Sequence, residues 1–144
     1  GLDLEQRSIK LNYSNLVQPD TIIIADPEQM KKVINNIISN SVKYMDKPRG
    51  AIDIRILDET ESIRIEIEDN GKGIAQKDLP KIFERFYRTD ASRNSAQGGS
   101  GIGLSIVRKI IEDHGGYIWA TSREGEGTCI HFVLRKYIEL QDDK

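Results

Sequence analysis

Cysteine, histidine, proline and aromatic residues are all scarce in this chain of 144 residues. A single cysteine, Cys129, excludes an internal disulfide, and a reducing compartment suits it. The longest apolar runs are a few residues, such as 22–25, whereas a membrane-spanning helix needs about 20. We recognise no signal peptide. A net charge of −2 offers no basic surface for nucleic acid. We therefore expect no nucleic-acid partner and no membrane contact by this domain.

The two histidines, His114 and His131, are expected to have structural roles. His114 ends a predicted helix, where its charge would suit the helix dipole. His131 lies in the last predicted strand, on the face opposite Ile130 and Phe132. Neither has neighbours spaced like a metal site, and no Ser/His/Asp or Cys/His grouping is evident.

The mixture of 38% apolar and 31% charged residues is typical of a globular domain, and we expect one domain over residues 1–144. Asp26 followed by Pro27 predicts a helix start. Apolar periodicity predicts helices at 26–45, 78–86 and 101–114, and strands at 9–13, 21–25, 52–57, 63–68, 117–122 and 128–134. This pattern favours an α/β fold: a two-layer sandwich with a mixed sheet of about five strands packed on about three helices.

Three polar residues share one strip of the first long helix. Asn36, Asn40 and Lys43 fall within roughly 60° of one another, beside the apolar stripe. A solvated polar face would explain each of them singly. Together they are also suited to a phosphate site, because an amide oxygen completes a Mg²⁺ shell and a lysine adds positive charge.

Asp69 follows a predicted strand and precedes Asn70-Gly71-Lys72-Gly73. Asp-Asn-Gly is usually a hairpin turn, but residues 74–86 do not alternate as a returning strand would. A carboxylate at a strand end can accept from the amine of adenine, where guanine presents a carbonyl. The glycines Gly71 and Gly73 let the backbone approach a flat ligand closely.

Glycines also precede the last helix, in residues 98–104. Backbone N–H groups at a helix start favour phosphate, although glycine loops are common and this one lacks the dinucleotide fingerprint. The polar segment 89–99 is long for a connection and is a candidate lid. Arg85 and Arg88 flank Phe86 and Tyr87, and either arginine would serve as a phosphate clamp or as a surface ion-pair partner.

Four blocks in order resemble the catalytic, ATP-binding domain of bacterial sensor histidine kinases, the GHKL or Bergerat fold. Residues 36–44 resemble its N box, 69–74 its first glycine box, 83–88 its F box and 99–104 its second glycine box. Residues 125–128 resemble its terminal Gly-x-Gly-Thr. The resemblance covers about residues 9–134.

The resemblance implies a role for each matching residue. Asn40 would be the Mg²⁺ ligand, supported by Asn36, and Lys43 would touch phosphate. Asp69 would bind the adenine amine, with Ile74 packed on the ring and Tyr44 lining the nucleotide. Arg88, or Arg85 as second candidate, would approach the terminal phosphate, and residues 89–99 would be the ATP lid. The remaining nucleotide-binding residues would be Gly71, Gly73, Gly99, Ser100, Gly101, Ile102, Gly103, Leu104 and Thr128.

The same resemblance implies ATP and Mg²⁺ as cofactors and two-component signalling as the context. The γ-phosphoryl group would pass to a histidine on a separate helical dimerisation domain of the same receptor, with a response regulator downstream. Neither His114 nor His131 has the setting of that acceptor. We therefore expect a monomeric cytoplasmic domain of a membrane-bound receptor whose helical domain lies outside this chain.

Three alternative functions are an ATPase of the GHKL family, a serine kinase of the same family and a binding module that has lost catalytic activity. A GHKL ATPase would carry a glutamate where this chain has Asn36, and a carboxamide cannot act as a general base. A serine kinase acting on an anti-sigma partner is disfavoured by the F box, and complete boxes disfavour a degenerate binding module.

Overall fold

Five strands form one mixed sheet in a computed structural model that describes residues 8–85 and 103–139. Across the sheet the order is β1-β2-β3-β5-β4. β1 runs parallel to β2, and the other neighbours are antiparallel. The strands are β1 (Ile9–Asn15), β2 (Gly50–Asp58), β3 (Ser62–Asp69), β4 (Ile118–Arg123) and β5 (Gly127–Arg135). The predicted α/β class with about five strands is confirmed.

Within residues 8–85 and 103–139, two α-helices lie on one face of the sheet, α1 (Pro27–Lys43) and α2 (Gly103–Asp113). As predicted, Asp26 caps α1, and its side chain accepts from the N–H groups of Glu28 and Gln29. This helix was predicted to end at about residue 45. It ends at Lys43, because the N–H of Met45 bonds to the carbonyl of Val42, only three residues back, at 3.2 Å. The carbonyl of Tyr44 then accepts from the N–H of Lys72 at 3.2 Å.

The core lies between the sheet and the two helices. β3 contributes Ile63, Ile65 and Ile67, which alternate with polar residues as the strand period requires. Further core side chains come from α1, α2, β2 and β5, among them Val33, Ile37, Val107, Ile110, Ile111, Ile52, Ile130, Phe132 and Leu134. Burial of these faces fixes which side of each strand meets the helices.

His114 joins the two helices at their ends. Its Nε2 lies 3.1 Å from the backbone N–H of Asp26, and its Nδ1 lies 2.7 Å from the carbonyl of Ile110. Because Nε2 accepts from Asp26, Nδ1 is the nitrogen that donates to Ile110. His114 thus has a structural role, which rests on these two hydrogen bonds.

Two predicted elements are wrong. Residues 21–25 form only an isolated bridge, between Ile23 and Lys136, because only a short stretch of chain after β5 lies beside them. The predicted helix at 78–86 is a 3₁₀ helix, Leu79–Lys81, followed by turns, and Phe86 lies outside the described residues. Ile82 and Phe83 are adjacent and both buried, which a tight turn allows more readily than one helix face.

Among the described residues, no helix combines the length and apolar character needed to cross a membrane.

The loop after β3 packs backbone to backbone on the end of β4. Gly73 has a φ of +75°, and a Cβ added there would lie 2.1 Å from the carbonyl oxygen of Arg123. The N–H of Gly125 donates to the carbonyl of Lys72 at 2.7 Å and ties the two loops together. No residue larger than glycine fits at Gly73 without moving the loop.

Gly73→Ala is therefore expected to lower the free energy of unfolding by more than about 3 kcal/mol. Gly125→Ala is the matched control, because its φ is +80° but no atom lies within 4 Å of the added Cβ. It should cost only the left-handed strain, about 1–2 kcal/mol. Urea unfolding of both variants measures the difference, and equal losses would contradict the close approach at Gly73.

Candidate functional site: a carboxylate and an amide strip beside a glycine loop

Asp69 is the last residue of β3, and its carboxylate is held by three neighbours. Oδ1 accepts from the N–H of Gly71 at 2.9 Å and from the N–H of Thr128 at 3.3 Å. Ser41, a buried residue of α1, lies near enough for its hydroxyl to favour the ionised form of this carboxylate. One side chain therefore joins β3, β5, α1 and the glycine loop. Both backbone bonds go to Oδ1, which leaves acceptor capacity on Oδ2 for a ligand.

Burial raises the pKa of Asp69 above its ordinary value, because the site disfavours the charged form. The hydrogen bonds from Gly71 and Thr128, together with the Ser41 hydroxyl, oppose this shift and favour the carboxylate, whereas the nearby charge of Glu68 adds to it. Removing any one of the three donors should raise the pKa further. In its ionised form the Asp69 carboxylate can accept a hydrogen bond from a ligand amine.

The amide strip of α1 lies next to the start of α2. Asn36 and Asn40 are one helical turn apart, and both are half-buried. A Cβ added to Gly103, the first residue of α2, would lie 3.9 Å from Oδ1 of Asn36. The structure thus brings Asn36 of the predicted strip together with the C-terminal end of the second glycine box, of which Gly103 and Leu104 are described.

Lysines surround Tyr44 at the end of the strip. Nζ of Lys43 lies 5.4 Å from the centre of the Tyr44 ring, and Nζ of Lys72 lies 4.9 Å from it. Lys47 donates to the carbonyl of Gly71 at 3.0 Å. This concentration of positive charge beside an aromatic ring is suited to a ligand that carries both phosphate and a planar base.

Ser122 connects the first glycine box to the terminal one. Its Oγ accepts from the N–H of Ile74 at 2.8 Å, donates to the carbonyl of Gly127 at 2.7 Å and lies 2.8 Å from Oγ1 of Thr128. Ile74 is half-buried and packs against the core. The predicted ring-packing residue and the predicted Thr128 are therefore held by one hydroxyl.

Several predicted residues fall outside the described part of the chain: Arg88, Gly99, Ser100, Gly101 and Ile102, together with the predicted lid at 89–99. Arg85 is exposed and lies just after the 3₁₀ helix. The described geometry brings Asn36, Asn40, Lys43, Tyr44, Asp69, Gly71, Gly73, Ile74, Gly103, Leu104 and Thr128 to one end of the sheet and the adjoining helix ends.

Four residues of the site were not predicted: Ser41, Lys47, Lys72 and Ser122. Ser41 had a signal, because it follows Val33 and Ile37 at the four-residue spacing of the buried stripe. A polar residue in such a stripe needs a buried partner, and here the partner is Asp69. Lys72 and Ser122 reach the site only through the contact between the loop and β4.

The donor set fits a Mg²⁺-nucleotide. Carboxamide oxygens of Asn36 and Asn40 are hard ligands of the kind that Mg²⁺ accepts beside phosphate oxygens and water. The cleft between the strip and Gly103 has no Cβ on the α2 side. At the opposite end of the site from Asn36 and Gly103, Asp69 supplies an anionic hydrogen-bond acceptor.

Comparison with known proteins gives a consistent result. Residues 25–138 match the family described as histidine kinase-, DNA gyrase B-, and HSP90-like ATPase. The chain is 42% identical to the sensor histidine kinase WalK of Bacillus subtilis (strain 168) over 132 residues, which cover 90% of this chain and 21% of that protein. The chain thus spans about a fifth of that curated relative.

Solved structures of histidine kinases have a similar fold. A mycobacterial sensor histidine kinase, MprB, superimposes with a TM-score of 0.79 at 26% identity, covering 94% of this chain and 89% of that one. Histidine kinase ThkA, in complex with the response regulator protein TrrA, superimposes with a TM-score of 0.75 at 29% identity, covering 94% and 36%.

Ser41→Ala is expected to raise the pKa of Asp69, because it removes a donor that favours the carboxylate. It should also lower the free energy of unfolding by about 1 kcal/mol. Carboxyl carbon NMR of Asp69 over a pH titration measures the shift. Ser39→Ala, on the exposed side of the same helix, is the control and should leave the titration unchanged. A titration of Asp69 unaltered in Ser41→Ala would contradict the assigned role of the Ser41 hydroxyl.

Proposed function

This chain belongs to the histidine kinase-, DNA gyrase B-, and HSP90-like ATPase family, and we propose that it is the ATP-binding kinase domain of a two-component sensor histidine kinase. It binds Mg²⁺-ATP and transfers the γ-phosphoryl group to a histidine on a separate helical domain of the same receptor. A response regulator then receives the group. The parent receptor is membrane-bound, and this domain lies in the cytoplasm.

The observation that carries the proposal is the joint placement of Asp69 and the amide strip. The carboxylate lies where the glycine loop, Thr128 and Ser41 meet, and it offers an acceptor to the exocyclic amine of adenine. Tyr44 and Ile74 flank this end. Asn36 and Asn40 lie toward α2, where a helix N-terminus favours the phosphates.

Asn40 would hold the Mg²⁺, which neutralises phosphate charge when bound. Lys43 adds a positive charge near the same phosphates, and Gly103 and Leu104 begin the helix that receives them. Arg88 and residues 99–102 complete the phosphate end in this proposal. The protein's share in the transfer is positioning and charge neutralisation, as phosphoryl transfer generally requires.

Asn36 is the feature that favours a kinase over an ATPase. The ATPase branch would need a carboxylate at this position to activate water, and a carboxamide cannot accept the proton at neutral pH. Its half-buried place beside Gly103 puts it close to the expected phosphates. Water attack on bound ATP should therefore be slow, and a supplied imidazole should be the acceptor.

Nucleotide choice tests the assignment of Asp69. Asp69→Asn should weaken ADP binding about 10–150-fold, because a charge-assisted hydrogen bond of about 1.5–3 kcal/mol is lost. GDP should bind the unaltered protein far more weakly than ADP, because guanine presents a carbonyl to the carboxylate. Calorimetry measures both affinities.

Glu68→Gln is the control for this experiment. Glu68 is the neighbouring carboxylate, exposed and paired with Arg55 on the other side of the strand. Its removal should leave ADP binding unchanged. Equal affinity for GDP and ADP, or an Asp69→Asn variant with full affinity, would reject an adenine site at Asp69.

Phosphoryl transfer tests the proposed activity itself. With radiolabelled ATP and Mg²⁺, the chain alone should neither label itself nor release phosphate rapidly. Addition of the parent receptor's helical domain should give an acid-labile label on that domain. Asn40→Ala should abolish the label, whereas Asn35→Ala, an exposed amide on the same helix, should not. Rapid phosphate release by the chain alone would favour the ATPase function instead.

A further inference from the structure

A second cluster of chemically reactive side chains lies on the face of the sheet that points away from the helices. Glu66 of β3 and His131 of β5 are directly paired across the two strands. Cys129 lies two residues before His131 and therefore on the same face. The carboxylate, Sγ and imidazole ligand atoms all lie within 4.8 Å of one another. All three side chains are largely shielded, with Cys129 only 5% exposed.

We propose that Cys129, His131 and Glu66 form a zinc-binding site, with water as the fourth ligand. Thiolate, imidazole and carboxylate are the three ligand types that Zn²⁺ takes in proteins, and a three-residue set leaves one open position. The site is distinct from the nucleotide site and does not depend on the proposed function.

The distances suit a tetrahedral ion after small movements. Bonds of about 2.3 Å to sulfur and about 2.0 Å to nitrogen, at tetrahedral angles, put those two atoms roughly 3.5 Å apart. Sγ of Cys129 lies 4.0 Å from Nδ1 of His131. The carboxylate of Glu66 lies 2.8 Å from the same nitrogen and has to withdraw by about half an ångström to admit the ion.

Two neighbours orient the imidazole. Nε2 of His131 lies 2.9 Å from Oγ1 of Thr121, so an Nε2 proton can be donated there while Nδ1 points at the cluster. The Trp119 ring stacks on the imidazole at 5.0 Å with an angle of 3° between the planes. Metal-binding histidines commonly have such a partner on the second nitrogen, because it selects the tautomer that ligates.

Two arginines compete with the ion for Glu66. Nε of Arg55 donates to Oε1 of Glu66 at 3.1 Å, and its guanidinium lies 3.9 Å from Sγ of Cys129. Nε of Arg64 lies 3.6 Å from Oε2 of Glu66. Although burial opposes its charge, hydrogen bonds from Arg55 and His131 hold the pKa of Glu66 below its ordinary value. Glu66 is thus an anion ready to bind, but its release from Arg55 limits the affinity.

Binding also displaces a proton. Burial, helped by the charges of Glu66 and Glu68, raises the pKa of Cys129 to about 12, so the metal-free protein holds a thiol at neutral pH. When the ion binds, the S–H bond breaks, the sulfur lone pair forms the bond to zinc, and the proton passes to water. The Nδ1 proton that His131 donates to Glu66 in the metal-free protein also leaves to water, Nε2 takes up a proton that it donates to Thr121, and the freed Nδ1 lone pair binds the ion. A coordinating thiol is deprotonated in this way wherever zinc binds it.

Cobalt and zinc titrations of the purified chain, without nucleotide, test the site. Co²⁺ should bind with one-to-one stoichiometry and give the visible bands of a four-coordinate ion together with a thiolate-to-cobalt charge-transfer band. Zn²⁺ should then displace it, as expected from the order of metal affinities. Cys129→Ser should lose the charge-transfer band, and His131→Gln should weaken Zn²⁺ binding at least about tenfold. Circular dichroism establishes that each variant is folded.

Two further variants separate a built site from adventitious binding. His114→Gln removes the only other histidine, which lies at the helix ends, and should leave metal binding unchanged. Arg55→Gln should tighten Zn²⁺ binding about fivefold, because it removes a competing ion pair, and this variant leaves the three ligands in place.

The proposal is overturned if the unaltered chain gives no charge-transfer band, or if His114→Gln weakens binding as much as His131→Gln. It is also overturned if Arg55→Gln leaves the affinity unchanged or weakens it. If Cys129→Ser does not fold, Glu66→Gln replaces it, with at least about tenfold weaker Zn²⁺ binding expected and unchanged affinity counting against the site.

Discussion

The structure depends on one half-buried carboxylate, that of Asp69. It accepts hydrogen bonds from the glycine loop and from β5, and the nearby hydroxyl of Ser41 in α1 favours its charge, so three separate parts of the chain meet at one anion. Burying a charge is unfavourable unless hydrogen bonds compensate it, and these donors do so only in part. The raised pKa of Asp69 records the remaining cost. A ligand amine at this position would supply a further donor, which links the stability of this region to ligand binding.

Close backbone contacts make that meeting point possible. A Cβ on Gly127 would lie 2.0 Å from the carbonyl oxygen of Asp69, and one on Gly73 would lie 2.1 Å from that of Arg123. Both glycines also have positive φ, so the loops need glycine for conformation and for space. The same contacts bring Ser122 to Ile74 and Thr128, and they bring Lys72 to Tyr44.

Strands β3 and β5 carry different kinds of residues on their two faces and at their ends. Toward the helices, β3 and β5 bury Ile65, Ile67 and Phe132. Away from the helices they hold Glu66, Cys129 and His131 as neighbours. Asp69 follows Glu66 by three residues, and Thr128 precedes Cys129 by one. A metal bound on the outer face would therefore lie on the same two strands that carry the adenine end of the proposed nucleotide site.

The sequence by itself determined the fold class and the pattern of its parts. The alternation of Ile63, Ile65 and Ile67 and the cap at Asp26 are local signals, and both hold in the structure. The strip Asn36, Asn40 and Lys43 follows from helix geometry alone. Residues 21–25 and 78–86 were mispredicted because their conformation depends on the chain after β5 and on the burial of adjacent Ile82 and Phe83.

Only the tertiary structure decided which residues share a partner. Ser41 and Asp69 are 28 positions apart in the numbering, and Glu66 and His131 are 65 apart. His131 has no metal-like spacing to its sequence neighbours, because the carboxylate that meets it comes from another strand. Periodicity reports which face a side chain occupies, whereas strand register and loop packing decide what lies opposite it. The cluster at Glu66 and the donors to Asp69 therefore follow from the register of β3 against β5 and from the docking of α1 on the sheet.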